Sequence, residues 1–335
     1  RILGRREGPV APEPAAHAEM AGRALRRAGL AARLETCPDG MVRIRRPLPE
    51  PVPLATLIVP TRDRVDLLRT CLTSLRGRTD WARLDIVVVD NDSRDPATLA
   101  YLREIEASGA ARILRWPGPF DFAAMNNAAA RQASEGLLGF INNDVEAYRP
   151  DWLQRMAAEA LRPEVGAVGA KLVDADGRIQ HGGIVLGTGG GMATHAHRFF
   201  PGHAPGHLDR LRRTHRVAAV TAACLVVEAR KFHAVGGFDA ERFAVDFNDV
   251  DLCLRLDDGG WRTLMVPEAV LHHREAASRH WTPEALARHE AEVARFRGRW
   301  GARLAADRWY HPGFDPELGT YVRLRPTPPK GAQPR

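Results

Sequence analysis

The sequence is poor in cysteine. Its four cysteines lie far apart in the 335-residue chain and none belongs to a CxxC pair: Cys37, Cys71, Cys224 and Cys253. This spacing excludes a compact cysteine zinc motif and provides no recognisable disulfide framework. We therefore expect reduced thiols, as in a protein of the cytoplasm.

Long hydrophobic runs are absent as well. The longest, Val217 to Val227, has 11 residues, whereas a membrane-spanning helix needs roughly 20. We interpret this run as a buried strand. No signal peptide, with its charged start and apolar centre, opens the chain. The first residue is Arg1 rather than Met, which leaves open that the chain is a piece of a longer protein.

Acidic residues are fewer than basic ones: the sequence contains 41 aspartates and glutamates and 48 lysines and arginines, which gives a formal net charge of +7. This balance suits ligands that carry phosphate, or anionic membrane surfaces. The arginines are scattered and no nucleic-acid-binding motif accompanies them, so we expect no nucleic-acid partner.

An alternation of short apolar runs with helical ones dominates the sequence from Leu54 onward. It predicts strands at 54–59, 84–89, 111–115 and 137–142, and helices at 64–77, 95–108, 123–134 and 151–161. Mixed strands and loops follow over 165–227, then a helix at 246–258, a strand at 262–266 and a helix at 283–299. This order predicts an α/β fold with a mostly parallel, Rossmann-like central sheet flanked by helices.

Three parts of the chain are expected. Residues 1–52 form an N-terminal helix and a proline-rich linker, 53–279 form the main domain, and 280–335 form a helical extension with a loose tail. The basic N-terminal helix suits docking to another domain or to a membrane surface, and a solvated amphipathic helix is the alternative.

Polar residues follow three of the predicted strands, which reach Asp63, Asp90 with Asn91, and Asn142 to Asp144. Ligands of open α/β sheets bind at the carboxyl ends of the strands, so we expect these side chains at one edge. Single residues of this type are often ordinary turn formers or helix caps. Three successive strands with this ending favour a ligand site instead, and oxygen ligands suit Mg²⁺ or Mn²⁺ shared with a diphosphate.

Two further segments contain candidate functional side chains. In GGFDAERFAVDFNDVDLCLRL, Asp251 is explained by an ion pair with Arg255, whereas Asp249 is a candidate general base, with Asp246 on the same helix face. In EAVLHH, His272 is a candidate to complete the shell of a metal at Asp144, with His273 as the alternative.

Taken in order, several segments resemble the family 2 glycosyltransferases. They are VPTRDR, VVVDNDS, NNAAARQASEG, FINNDVE, GGFDAERFAVDFNDVDLCLR and PEAVLHHREAASR. The resemblance extends from about Pro53 to Arg279. Within the family, the chain resembles in particular the catalytic domains of bacterial O-antigen and rhamnan-type polysaccharide synthesis proteins. The resemblance implies the GT-A fold, in which the half of the domain on the acceptor side contains mixed strands and loops.

The resemblance also implies roles for individual residues. Positions that hold the nucleotide-sugar in the family are matched by Pro60, Thr61, Asp63, Asp90, Asn91, Asn127 and Asn143. The metal motif is matched by Asn142 to Asp144, with Asn142 where many members have Asp, and His272 matches a histidine close to the metal. Asp249 matches the catalytic base, beside Asn248 where the family usually has an acidic residue.

The implied reaction is an inverting, metal-assisted sugar transfer with Mn²⁺ or Mg²⁺ as cofactor. The expected partners are a dTDP-, UDP- or GDP-sugar donor, a glycan or lipid-linked glycan acceptor, and further transferase domains of a longer chain. The expected location is the cytoplasm, including the inner face of the membrane.

Two other functions are weighed against this one. A catalytically inactive module with the same fold would bind a glycan or a partner domain, although intact Asp144 and Asp249 argue against it. A sugar-nucleotide pyrophosphorylase would have a glycine-rich phosphate loop, and VPTRDRVDLL contains no glycine.

Overall fold

The computed structural model describes residues 14–37, 40–274, 282–315, 317 and 319–325. Contacts between residues divide the chain into two compact units, Arg1–Pro49 and Glu50–Arg335. The predicted domain limits at 52/53 and 279/280 stay predictions, and the second of them lies outside the described residues, as does part of the predicted loose tail.

The first unit contains the predicted helix, α1 (Pro14–Arg27), and two strands that were not predicted, β1 (Arg33–Thr36) and β2 (Val42–Arg45). The two strands pair antiparallel, with Leu34 opposite Ile44. They alternate polar and apolar residues over only four positions each, which is too short a pattern to identify a strand from sequence alone.

The second unit begins with the predicted alternation. Its first elements are β3 (Ala55–Thr61), α2 (Val65–Gly77), β4 (Leu84–Asp90), α3 (Pro96–Ala107), β5 (Arg112–Arg115), α4 (Phe122–Ala130), β6 (Leu137–Ile141), β7 (Val145–Ala147) and α5 (Trp152–Ala160). The later elements are β8 (Val165–Val173), β9 (Ile179–His181), β10 (Ile184–Leu186), β11 (Ala193–His195), β12 (His215–Arg216), β13 (Cys224–Glu228), α6 (Ala229–Ala234), α7 (Asn248–Asp258), β14 (Arg262–His273) and α8 (Pro283–Leu304).

One large sheet organises this unit, in the order β12-β14-β8-β13-β6-β3-β4-β5. The strands β6, β3, β4 and β5 run parallel, whereas β13 pairs antiparallel with both of its neighbours. All residues of β3 and β8 are buried, as expected for strands covered on both faces. The predicted α/β fold, with a mostly parallel centre and a mixed second half, is therefore confirmed.

Local sequence signals set several boundaries. Helix α3 starts where Asp95 caps the Thr98 N–H and Pro96 occupies the first turn, and α4 starts at a second aspartate cap, Asp121. Gly136 precedes β6 with φ +81°, and a Cβ there would lie 2.2 Å from the Leu54 carbonyl oxygen. This close approach lets Leu137 donate to the same carbonyl and fixes the register of β6.

Three predicted boundaries are corrected. The run from Val217 to Val227 is a continuous strand only from Cys224, because Ala222 and Ala223 form a buried turn and Ala219 makes only an isolated bridge to Ile184. Helix α7 begins at Asn248 rather than at 246, since Phe247 has φ +59°, which is incompatible with the helix. The last strand of the sheet continues beyond 266 to His273, through a register shift after Val266.

Other sequence features have structural roles. The glycine-rich segment GIVLGTGGGM contains β10 and the turn that joins it to β11, and all five of its glycines have positive φ. All four cysteines are buried and none of them forms a disulfide. In the part of the chain that the structure describes, no helix has the length and hydrophobicity to cross a bilayer.

Candidate functional site

The predicted strand-end residues lie at one edge of the sheet. Thr61, the last residue of β3, is level with Asp90, the last residue of β4, and β6 ends beside them on the other side of β3. Pro60 is buried one residue earlier, opposite Val89. The structure therefore brings together the ends of the three strands, as their sequence pattern predicted.

Asp63 shapes the loop that follows β4. Its Oδ1 accepts from the backbone N–H groups of Arg94 and Asp95 at 2.7 and 2.8 Å, and its own N–H donates to the Ser93 hydroxyl at 2.8 Å. Asp63 itself has φ 51°, a left-handed conformation that aspartate tolerates better than most residues. The carboxylate thus ties the end of β3 to the loop after β4.

Asp90 and Asn91 are two buried polar residues at this edge of the sheet. Asp90 is buried, with one oxygen 2.5 Å from Arg115 Nη1 and the other accepting from the Ser93 N–H. The amide nitrogen of Asn91 donates to the Gly118 and Trp116 carbonyls at 2.7 and 3.3 Å. Within the described residues the buried Asn91 Oδ1 accepts no hydrogen bond, so this oxygen is available to a ligand.

The three residues after β6 turn towards this edge. Asn142 donates its backbone N–H to the Ala223 carbonyl at 3.1 Å. Asn143 Nδ2 donates to the Thr61 hydroxyl at 3.0 Å, which joins β6 to the end of β3. Asp144 follows, only 9% exposed.

His273, not His272, contacts Asp144. The His273 Nε2 lies 3.0 Å from Asp144 Oδ1, in the register that pairs β14 with β7. Side chains alternate along a strand, so His272 is on the other face, with its ring centroid 5.3 Å from that of Tyr148. The structure therefore places His273, the alternative named from the sequence, beside Asp144, and a metal-binding role for either histidine stays a prediction.

Asp249 lies at the start of α7, where the buried turn before β13 holds it. Its Oδ2 accepts from the Ala222 N–H at 3.1 Å, its Oδ1 accepts from the Val250 N–H at 2.8 Å, and the Thr221 hydroxyl also hydrogen bonds to it. Burial raises the pKa of the Asp249 carboxyl, and these hydrogen bonds oppose part of that rise.

The same turn joins Asp249 to the residues after β6. Ala222 binds the Asp249 carboxylate, while the next residue, Ala223, accepts from the Asn142 N–H. Asp249 and the Asn142 to Asp144 segment are therefore neighbours across this turn. Asp246 is not part of that arrangement: it precedes the helix, and its Oδ2 lies 3.0 Å from His289 Nδ1.

The side chain of Asn127 hydrogen bonds to the backbone of the loop before α7. Its Nδ2 donates to the Phe238 carbonyl at 2.8 Å and its Oδ1 accepts from the Phe238 N–H at 2.9 Å. Both ends of the amide are occupied by this backbone, so the side chain joins α4 to the loop before α7. These hydrogen bonds give Asn127 a structural role, and its predicted contact with the nucleotide-sugar stays a prediction.

Several residues near the site were not predicted. Arg115 reaches Asp90 from the next strand, and Gln180 Oε1 lies 2.5 Å from His273 Nδ1. No local sequence pattern identifies Arg115 or Gln180 as a site residue, because strand pairing alone brings them next to Asp90 and His273. His195 is the last residue of β11, and His197 is buried two residues after it.

Comparison with known proteins identifies the family of this fold. Residues 56–193 match the profile of glycosyl transferase family 2. An uncharacterized protein of Sinorhizobium fredii is 42% identical over 83% of this chain and 31% of its own length. An O-antigen biosynthesis protein of Myxococcus xanthus is 37% identical over 85% of this chain and 21% of its own length.

A third relative is the N-acetylglucosaminyl-diphospho-decaprenol L-rhamnosyltransferase of Mycobacterium tuberculosis, 32% identical over 50% of this chain and 57% of its own length. The chain thus spans about a third or less of the first two relatives and just over half of the third.

Two solved structures share the fold. GalNAc-T7, solved with UDP, GalNAc and Mn²⁺, has a TM-score of 0.58 at 16% identity and covers 73% of this chain and 48% of its own. A mannosyltransferase of Pyrobaculum calidifontis, solved with GDP-Man and Mn²⁺, has a TM-score of 0.50 at 18% identity and covers 88% of this chain and 83% of its own. The chain carries a family 2 glycosyltransferase domain with the GT-A fold.

Proposed function

We propose that this chain is an inverting, metal-assisted glycosyltransferase that moves a sugar from a nucleotide-sugar donor to a bacterial surface glycan. The observation that carries the proposal is the position of Asp249, a half-buried carboxylate of raised pKa held beside the Asn142 to Asp144 segment. The names of the Myxococcus and Mycobacterium relatives support a glycan acceptor of the O-antigen or rhamnan type, including a lipid-linked one.

The donor is proposed to bind at the strand-end edge. There the free Asn91 Oδ1 can accept from the nucleotide base, while Asp63 and Asp90 hold the surrounding loops. Pro60, Thr61 and Asn143 form the adjoining wall. The candidate nucleotides are UDP, dTDP and GDP.

Asp144 and His273 fit a divalent cation. A carboxylate oxygen and an imidazole nitrogen, both able to bind such a cation, lie 3.0 Å apart. The described residues contain no cluster of three His, Cys, Asp or Glu side chains that could hold a metal. A two-ligand site of this kind is typical of Mg²⁺ or Mn²⁺ whose shell is completed by substrate phosphate and water. Asn142 adds an amide oxygen to the same segment.

The proposed transfer is a single displacement. An acceptor hydroxyl loses its proton to Asp249 as its oxygen attacks the anomeric carbon, and the bond from that carbon to the diphosphate oxygen breaks on the opposite face. The sugar configuration inverts and the nucleoside diphosphate leaves. A divalent cation bound by Asp144 and His273 would neutralise negative charge on that diphosphate.

Calorimetry with UDP, dTDP and GDP, each with and without Mn²⁺, tests the proposal. We expect metal-dependent binding of one nucleotide to the wild type and to Asp249→Asn, and its loss in Asp144→Ala. Hydrolysis of the matching nucleotide-sugar should be detectable in the wild type and lost in Asp249→Asn. Absence of nucleotide binding in the folded protein would reject the proposal, and binding without any turnover would favour an inactive module.

A further inference from the structure

Gln180 is a buried polar residue that the sequence did not connect with the site. It lies in the middle of β9, 4% exposed, and its Oε1 is 2.5 Å from the Nδ1 of His273. It therefore contacts the ring nitrogen of His273 that faces away from Asp144.

The backbone of Gln180 is fixed on both sides. Its neighbours Ile179 and His181 pair with β8, and its own carbonyl accepts from His195 Nδ1 at 3.0 Å. His181 Nε2 in turn accepts from the Thr221 N–H at 3.4 Å, in the turn that holds Asp249. The side chain of Gln180 is consequently aimed at His273 by a rigid strand rather than by a mobile loop.

The contact determines which nitrogen of His273 carries the proton. An amide oxygen can only accept a hydrogen bond, so Nδ1 must be the donor. When Nδ1 holds its proton in this contact and a cation replaces any proton on Nε2, the Nε2 lone pair and Asp144 Oδ1, 3.0 Å apart, can both bind that cation. Two electron-pair donors that face each other at this distance are suited to sharing one cation.

We propose that Gln180 is a positioning residue, which holds His273 in the tautomer whose Nε2 can bind a divalent cation together with Asp144. The inference rests on the proposed function, because it concerns the cation of that site. Groups that accept from the second nitrogen of a metal-binding histidine typically change metal affinity about 10–100-fold when they are removed.

The test is a titration of the full chain with Mn²⁺, followed by the electron paramagnetic resonance signal of free Mn²⁺, with and without UDP, dTDP or GDP. Gln180→Met keeps the length of the side chain and removes the acceptor, so Mn²⁺ binding should weaken about 10–100-fold. Gln180→Glu keeps an acceptor and should bind Mn²⁺ at least as tightly as the wild type. Gln132→Met is the matched control, since this exposed amide accepts from Arg112 at 2.6 Å away from the site and should leave binding unchanged.

A second readout does not depend on the variants folding. In the Mg²⁺-loaded wild type, nitrogen NMR of His273 should show the proton on Nδ1, and a proton on Nε2 would overturn the inference. Equal Mn²⁺ affinity of the wild type and Gln180→Met would also overturn it while leaving the proposed function intact. A wild type that binds no Mn²⁺ under any of these conditions would reject both.

Discussion

The Asp249 carboxyl is subject to two opposing effects. Burial disfavours its charged form and raises its pKa, whereas hydrogen bonds from Ala222, Val250 and Thr221 favour the charge and lower it. Burial has the larger effect. Because the folded-state pKa is raised, protonation of Asp249 favours folding, and that contribution to stability is lost as the pH rises through the folded pKa.

This shift predicts the pH dependence of the transfer. Asp249 can accept a proton only when it is ionised, so kcat/KM should fall with decreasing pH at a midpoint above the ordinary aspartate pKa of about 4. Removal of the base in Asp249→Asn should lower kcat about 10²–10⁴-fold. The measurement is release of the nucleoside diphosphate between pH 5 and 9. A variant that keeps the wild-type profile would show that another group is the base.

The two adjacent histidines provide a matched pair of variants. His273→Ala removes the ring beside Asp144 and should weaken metal-dependent nucleotide binding by at least the 10–100-fold expected for an outer-shell partner. His272→Ala removes a ring that packs near Tyr148 on the other face and should leave this binding unchanged. Calorimetry on both variants decides between them. A larger loss for His272→Ala would restore the assignment made from sequence.

Among the secondary-structure elements, α4 and the loop before α7 are joined by the amide of Asn127. Asn127→Ala deletes two hydrogen bonds and leaves both backbone polar groups of Phe238 without these partners. We expect the free energy of unfolding to fall by about 2–4 kcal/mol, measured by urea denaturation. Nucleotide affinity of the folded variant should stay at the wild-type value, and a selective loss of that affinity would support the sequence-based role instead.

Elements with a strong local pattern were predicted well. The parallel strands of the first half are continuous apolar runs followed by Asp63, Asp90 and Asp144, and their order forces these ends to one edge of the sheet. Helix caps such as Asp95 also act within a few residues of their position in the sequence. The fold class and the strand-end edge therefore follow from local sequence.

The remaining features depend on contacts between distant segments. The turn at Thr221 to Ala223 belongs to a run that is apolar except for Thr221, and the composition of this run does not show where the strand begins. The choice between His272 and His273 depends on the pairing of β14 with β7, which one extra residue would reverse. Gln180 reaches His273 across 93 positions of sequence, and no short motif records such a contact.

At the scale of the whole molecule, most of the net positive charge belongs to one unit and the proposed site belongs to the other. Residues 1–49 contain ten arginines and five acidic residues, so most of the net charge of +7 belongs to the first unit. Every residue of the candidate site belongs to the second, Glu50–Arg335. Electrostatic attraction to an anionic surface and binding of the nucleotide should therefore be separable.

Deletion of residues 1–49 tests this separation. The truncated chain should keep the metal-dependent nucleotide affinity of the full chain, because all side chains assigned to the donor, the cation and the base remain. It should lose binding to phosphatidylglycerol vesicles, which for the full chain should weaken with increasing salt as exposed charges are screened. Calorimetry and vesicle co-sedimentation measure the two properties on the same preparations. Vesicle binding that survives the deletion would place the membrane-binding surface in the second unit, and lost nucleotide affinity would show that the first unit contributes to the site.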